Sequence, residues 1–196
     1  MLNYDPKLKK DNDMKTNLPN DDSELCKVFG IILSKSNFSD YINAIAELIY
    51  KNELSKESLL NILAEYKIRR VQDINEELLD LIIVYINLVL DDHIISDNEK
   101  QNLSHLKTYF KIKEGDFYNK RYDEIEKVLH RQFERLYADN LISEQEDIYL
   151  NHLQDIFDLS YDQLDKFKAK EVKRALDEGA NITDLSTAKF PKTKKG

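Results

Sequence analysis

One stretch of the sequence occurs twice, 47 residues apart. Residues 92–99 read Asp-His-Ile-Ile-Ser-Asp-Asn-Glu, and residues 139–146 read Asp-Asn-Leu-Ile-Ser-Glu-Gln-Glu. Residues 92–129 align with 139–176 without a gap, and identities continue past the motif. They include the pairs Leu103/Leu150, His105/His152, Leu106/Leu153, Phe110/Phe157, Glu124/Glu171 and Leu129/Leu176. A period in this range indicates a duplicated supersecondary unit.

Apolar residues at helical spacing flank both copies, so each copy is predicted to be the turn of a helix-turn-helix unit. The sequence has only four Gly and three Pro, which fits a helical protein with short turns. We therefore expect an all-α fold: a single helical bundle of about seven or eight helices with an internal duplicated helix-turn-helix unit. The expected organisation is a flexible N-terminal arm over 1–21, a helical domain over 22–178 and a flexible tail over 179–196. Within the domain, repeat units are expected at about 75–121 and 122–177, with a degenerate unit at about 39–70.

The apolar periodicity also places the helices. They are predicted over 24–34, 40–52, 75–91, 97–110, 121–138, 144–157 and 161–177, with a short helix around 59–66 and a linker or short helical turn over 113–118. The segment from 75 to 91 is apolar all round, which predicts a helix buried at the centre of the bundle.

The residues of the turns have a purely structural interpretation. Ser followed three residues later by Glu or Gln, before an apolar run, is typical of a capping box, in which side chains satisfy the free amides of the first helical turn. Ser96 and Glu99 fit this pattern, as do Ser143 and Glu146, and residues 160–163 are a third example. This interpretation needs no ligand.

A cation site is the alternative interpretation of the same turns. Each copy matches the last part of an EF-hand loop, but the register fails. Loop positions one and three need oxygen ligands, and Leu88, Leu90, Arg135 and Tyr137 stand there. A different site remains open if the two turns approach each other. It would pool Asp91, Asp92, Glu99, Asp139 and Glu146, and converging carboxylates suit calcium or magnesium.

The two motifs share one pattern: a helix that ends in Asp, then a branched apolar residue, Ser, two variable residues and Glu. This pattern resembles the TerB-like family. Residues 136–146 carry the resemblance best, and residues 89–99 nearly as well. The family includes tellurite-resistance proteins and the N-terminal domains of DnaJ-like co-chaperones. The chain departs from the pattern at His93 and Asn140, where the family commonly has Gly.

The resemblance implies an all-helical bundle with internal pseudo-symmetry. It also implies a non-enzymatic binding or scaffolding module in bacterial stress response or defence. The cation-binding face of the family maps onto Asp92, Glu99, Asp139 and Glu146, with calcium or magnesium as the expected ion and no other cofactor.

Charge and composition exclude several other classes of function. The net charge of −8 argues against a general nucleic-acid binder, which needs a basic face to contact phosphates. A single cysteine, Cys26, excludes an intrachain disulfide and is most simply a small buried hydrophobe. The longest apolar run is too short to cross a bilayer, so we expect no membrane insertion, and we read no signal peptide. A cytoplasmic location is expected.

The sequence contains no catalytic motif, so we expect that the protein is not an enzyme. We also expect that it has a protein partner. The alternative to a cation-dependent module is a metal-independent adaptor or immunity-type inhibitor whose acidic surface meets a basic partner. Paired carboxylates acting in acid–base catalysis are the third hypothesis.

Several polar residues between the motifs allow narrower predictions. His105 and His152 are expected in interhelical hydrogen bonds or half-exposed packing positions, and His93 is the better candidate for a metal-sensitive group. His130 has no obvious partner in the sequence. Arg69 and Arg70 are expected in local ion pairs, and Asp73 is expected to cap a helix.

Overall fold

The computed structural model describes residues 24–92, 94–136 and 144–177, without the side chains of residues 92, 144–147, 175 and 176. Within these residues the chain is all-α, with no strand. The expected arm over 1–21 and the expected tail over 179–196 lie outside them. The helices are α1 Glu24–Lys35, α2 Asp40–Tyr50, α3 Lys56–Glu65, α4 Asn75–Val89, α5 Asp97–Phe110, α6 Asp116–Lys120, α7 Tyr122–Leu136, α8 Glu144–Ile156 and α9 Tyr161–Asp177.

The predicted helical bundle is confirmed. The nine α-helices of the described residues include α6, a single short helix in the segment predicted to be a linker or helical turn. Short 3₁₀ segments, Val71–Ile74 and Leu90–Asp92, precede and follow α4.

Helix α4 lies at the centre of the bundle, as its apolar sequence predicts. Side chains on opposite sides of it, including Leu78, Leu79, Leu81 and Ile82, are all completely buried. Helices α1, α2, α5 and α7 pack against it. Burying each such side chain contributes roughly 1.5–3 kcal/mol, so this helix joins the N-terminal helices to the duplicated part of the chain.

Helices α1 and α2 approach each other closely. The ring of Tyr50 lies over Gly30, where an added Cβ would be 3.1 Å from a ring carbon. The buried Cys26 thiol donates to the Ile49 carbonyl at 3.5 Å. Cys26 is therefore the buried small residue that its apolar surroundings predict.

The sequence repeat is also a repeat of helix bounds. Helix α4 begins at residue 75 and ends at 89, and α7 begins at 122 and ends at 136, both 47 residues later. Helix α5 begins at Asp97 and α8 at Glu144, again 47 residues apart. Equivalent residues are buried alike in the two units. The pairs are Leu78/Ile125, Ile82/Leu129, Ile86/Phe133, Leu103/Leu150, Leu106/Leu153 and Phe110/Phe157.

The C-terminal ends of α5 and α8 repeat as well. Lys111 and Asp158 both adopt left-handed backbone conformations, with φ of 53° and 50°. The amide of Ile112 donates to the Lys107 carbonyl at 2.9 Å, and the amide of Leu159 donates to the Gln154 carbonyl at 3.0 Å. Each pair closes a Schellman motif, which satisfies carbonyls that the helix end leaves free.

Candidate functional site

The first acidic turn contains the predicted capping box. The Ser96 hydroxyl accepts from the Glu99 amide at 3.2 Å, and Glu99 Oε2 accepts from the Ser96 amide at 2.7 Å. The Ser96 hydroxyl also donates to the same Oε2 at 2.8 Å. The Ile95 side chain is buried beside the box. The structural interpretation of Ser96 and Glu99 is therefore confirmed.

Glu99 is more deeply placed than a solvent-facing ligand would be. Only 7% of the residue is exposed, and its charge acts on the Tyr85 hydroxyl of α4. Burial first, and the negative charge of Glu99 second, raise the pKa of Tyr85 well above its usual range, while a hydrogen bond with Asn102 opposes them. The charge of this carboxylate, in the first turn of α5, therefore acts on a side chain of the core helix.

The other predicted cation ligands are described only in part. Asp92 ends the 3₁₀ segment Leu90–Asp92, and Glu146 lies in the first turn of α8, in both cases without a described side chain. Asp139, His93 and the Ser143 cap lie outside the described residues. Asp91 is exposed. Across 24–92, 94–136 and 144–177, no three His, Cys, Asp or Glu side chains converge on one point.

Two contacts join α5 to the C-terminal part of α8 and the residues just after it. Lys100 Nζ, near the beginning of α5, lies 2.9 Å from His152 Nε2 of α8. Lys107 Nζ, near the end of α5, lies 2.8 Å from Oδ2 of Asp158, which follows the end of α8. The two units therefore meet through the second half of α8 and the turn that follows it.

The Lys100–His152 contact requires a neutral imidazole, because an ammonium can only donate. Desolvation is the main cause that lowers the pKa of His152, and the positive charge of Lys100 lowers it further. Asp155 and Asp97 act in the opposite direction. The prediction of an interhelical hydrogen bond is confirmed for His152. Its equivalent, His105, has a buried Nδ1 with no hydrogen-bond partner.

The second contact, between Lys107 and Asp158, is largely buried. The Lys107 ammonium also lies 5.4 Å from the centre of the Phe117 ring, a cation–π geometry. Burial lowers the pKa of Lys107, and Asp158 opposes that shift. Asp158 therefore has two roles. Its backbone adopts the left-handed conformation after α8, and its carboxylate is the counter-ion of Lys107 in α5. Its position in the sequence does not reveal this double role.

The surface between α4 and α7 is crossed by one arginine. Arg121 Nε lies 2.6 Å from Asp80 Oδ1, and its Nη1 lies 2.8 Å from Glu76 Oε2. Both carboxylates hold the pKa of Arg121 far above its ordinary value. The open groove of about 490 Å³ at this point is lined by charged and amide side chains, and among them Lys120 Nζ donates to Asn75 Oδ1 at 2.7 Å.

The narrower prediction for Asp73 is wrong. For His130, which has no obvious partner in the sequence, the structure supplies one: its Nδ1 lies 2.7 Å from Glu171 Oε2 of α9. Asp73 caps no helix, since it binds Arg70 at 2.7 Å instead, and α4 begins at Asn75 without a side-chain cap. The same ion pair confirms the prediction for Arg70. Partners 41 residues apart, such as Glu171 for His130, cannot be read from local spacing.

No protein-family model, curated protein or solved structure matches this chain. In the described residues, no helix combines the length and the apolar character needed to cross a bilayer. The class of protein that the structure defines is an all-α bundle with a duplicated helix-turn-helix unit.

Proposed function

We propose that the chain is a non-enzymatic binding module of the TerB-like kind, which binds through its two acidic turns. The observation that carries this proposal is the structural repeat, in which α5 and α8 begin 47 residues apart, each at the end of an acidic motif. Two such motifs in one bundle offer a negatively charged surface. Such a surface suits either a divalent cation or a basic protein partner. The place of the module in stress response or defence rests on the family resemblance alone.

In the first version of this function, Asp92, Glu99, Asp139 and Glu146 bind calcium or magnesium. Protein treated with a chelator is melted with and without each ion at millimolar concentration. An ion that binds only the folded state raises the midpoint in proportion to ln(1 + [L]/Kd). The expected result is a rise with one ion that disappears in the Asp139→Ala, Glu146→Ala double variant. A rise that survives the double variant would contradict this assignment of ligands.

A matched control is available in the third capping box. Ser160 and Gln163 hold the start of α9 with the same hydrogen bonds, Ser160 N to Gln163 Oε1 at 2.9 Å and Gln163 N to the Ser160 hydroxyl at 3.3 Å. Replacing Ser160 by Ala removes a cap without removing a carboxylate. Its cation response should therefore equal that of the unaltered chain.

The second version is a metal-independent adaptor with an acidic surface. The burial of Glu99 and its engagement with Ser96 favour this version, because a carboxylate committed to capping is a poor ligand. It predicts no response to any ion, together with association with a basic partner that weakens as salt is raised.

A further inference from the structure

Helix α9 carries a positive charge on a strongly negative chain. Residues 166–174 contain five Lys or Arg and one Glu, a net charge of +4. Residues 24–165 contain 16 basic and 28 acidic residues, a net charge of −12. Nine residues of one helix therefore oppose the charge of the rest of the bundle.

The solvent side of α9 presents part of this charge as one row. Lys166, Lys170 and Lys173 are all exposed, and they stand four and three residues apart. Residues at this spacing share one face of a helix, and here they cover about 10 Å of its length. The opposite face of α9 is buried through Leu164 and Phe167. We call the three lysines the basic row.

Two members of the basic row have no counter-ion within the chain as the structure describes it. Lys170 Nζ lies 2.6 Å from Glu126 Oε1 on α7. Lys166 and Lys173, in contrast, form no ion pair or hydrogen bond with any described residue. These two ammonium groups are therefore available to a partner from outside the chain.

The charge of the surrounding bundle selects the kind of partner. A nucleic acid or an anionic membrane extends well beyond a row of this length, and its phosphates would meet a surface of the same sign. A compact group of carboxylates on a protein meets the row without that repulsion. The chain itself carries such a group at its first acidic turn.

The first acidic turn combines exposed carboxylates with an exposed apolar side chain. Asp91 is exposed, and the Asp97 side chain is fully exposed, with its nearest cation, Lys100 Nζ, at 3.5 Å. Between them in the sequence, Ile94 is 66% exposed, more than any other large apolar side chain of the described residues. An apolar centre with a charged rim is the usual composition of a protein–protein contact.

We propose that the basic row of one copy of this chain binds the first acidic turn of a second copy. In this contact, the two unpaired lysines meet the carboxylates of Asp91 and Asp97, and their apolar stems cover Ile94. Exposed ion pairs are individually weak and are screened by salt, so the contact is weak and salt-sensitive. The inference rests on the proposed function, because it names the basic partner of the acidic turn in the metal-independent version.

The test is sedimentation equilibrium of the whole chain in the presence of a chelator. It compares an ionic strength of about 0.01 M with about 0.15 M, at which the Debye length falls from about 30 Å to about 8 Å. The expected result is association at the lower ionic strength that weakens at the higher one. A chain that stays monomeric under both conditions at millimolar concentration would overturn the proposal.

A pair of charge reversals tests the basic row. Lys166→Glu with Lys173→Glu should weaken the association about tenfold, because two attractions become repulsions. The matched control is Lys27→Glu with Lys56→Glu, which reverses two exposed lysines of α1 and α3 and changes the net charge equally. The control should weaken association much less. Equal weakening in both variants would reduce the effect to net charge and refute the role of α9.

Mixing two variants tests the partner surface. Asp91→Asn with Asp97→Asn removes the acidic turn and retains the basic row, whereas the α9 variant retains the turn and lacks the row. Each variant alone should be monomeric, as circular dichroism confirms that both stay helical. Their equimolar mixture should restore a one-to-one complex. A mixture that stays monomeric would contradict a contact between these two surfaces.

The outcomes also separate this inference from the proposed function. An unaltered chain that stays monomeric but melts at a higher temperature with a cation would overturn the self-association alone. An acidic-turn variant that associates like the unaltered chain would count against the turn as a binding surface, and so against both. A monomeric chain that binds labelled RNA or phosphatidylserine vesicles through α9 would assign the basic row to a polyanion instead.

Discussion

The two repeat units have the same helix bounds, but a different pair of polar side chains joins the two helices of each unit. In the first unit, the buried Tyr85 of α4 is hydrogen-bonded with Asn102 of α5. In the second unit, the equivalent positions are Gln132 of α7 and Tyr149 of α8, and the Tyr149 hydroxyl donates to Gln132 Oε1 at 2.8 Å. The tyrosine has changed helix, while the hydrogen bond between the two helices remains. Helix bounds and burial, rather than side-chain identity, are therefore what the duplication preserves.

The two units differ more in the segment after the second helix. In the first, Gly115 turns the chain at φ 80° into the short helix α6. In the second, the equivalent region lies in the long helix α9, which packs on α7 and carries Glu171 and Arg174. The second unit therefore has a helix face, and the charge cluster around His130, that the first unit lacks.

The largest effect should come from the shared core. Leu106 and Leu153 are equivalent, and both are completely buried. Leu106→Ala and Leu153→Ala should each lower the free energy of unfolding by about 2–5 kcal/mol, because each leaves a cavity. Urea unfolding measures both. A loss below 1 kcal/mol for one of them would show that the units do not share one core.

The polar pairs should come next. Tyr85→Phe and Tyr149→Phe each leave a buried amide without its hydroxyl partner, and should cost about 1–3 kcal/mol. The comparison is sharpened by exchanging the pair in the first unit, with Tyr85→Gln and Asn102→Tyr together. The double variant should be less destabilised than the sum of its single variants. Simple additivity in this cycle would mean that the two pairs are not interchangeable.

The cap of α5 should have a smaller effect. Ser96→Ala removes the acceptor of the Glu99 amide, and should lower the free energy of unfolding by about 1 kcal/mol. Ser55→Ala is the matched variant in α3, where the Ser55 hydroxyl accepts from the Ser58 amide at 3.0 Å. A markedly larger loss at Ser96 would indicate that Glu99 does more than cap the helix.

A substitution at a left-handed helix end should have the opposite effect and stabilise the protein. Lys111 occupies a conformation that favours glycine, so Lys111→Gly should raise the free energy of unfolding by about 0.5–1 kcal/mol. Ser104→Gly, at an exposed position inside α5, is the control and should lower it by about the same amount. Thermal melting of the two variants in parallel distinguishes these signs.

The smallest effect concerns pH. The pKa of His152 is lowered in the folded chain, so the unfolded state binds the proton more readily, and stability rises with pH. The contribution is intact above the ordinary value of 6.5 and is lost as the pH falls from there through the lowered pKa. His152→Gln should flatten the dependence of the melting temperature on pH in that interval. An unchanged slope would show that His152 does not contribute to the pH dependence of stability.

Local sequence signals predicted most of the helices. Capping boxes depend on residues three apart, so Ser96 with Glu99 and Ser160 with Gln163 follow directly from the sequence. The predicted bounds of α5 and α9 are the observed ones, because each helix begins at a box. The left-handed ends at Lys111 and Asp158 were not predicted, because neither residue is glycine.

The candidate site was predictable only in its composition. The sequence identified the acidic turns, but it could not show that Glu99 is buried and that its charge raises the pKa of Tyr85. The contacts of α5 with His152 and Asp158 depend on how the two units pack against each other, and no local pattern records them.

The sequence by itself determined the helices, the duplication and the central position of α4, because periodicity and caps act within a few residues along the chain. The tertiary structure decided the ion pairs of Arg121, Lys107 and His130, whose partners lie 41 to 51 residues away. The physical reason is that a charge finds its partner through packing. The burial of the whole core decides which helix faces meet. Any carboxylate that this packing brings near the charged side chain then becomes its partner.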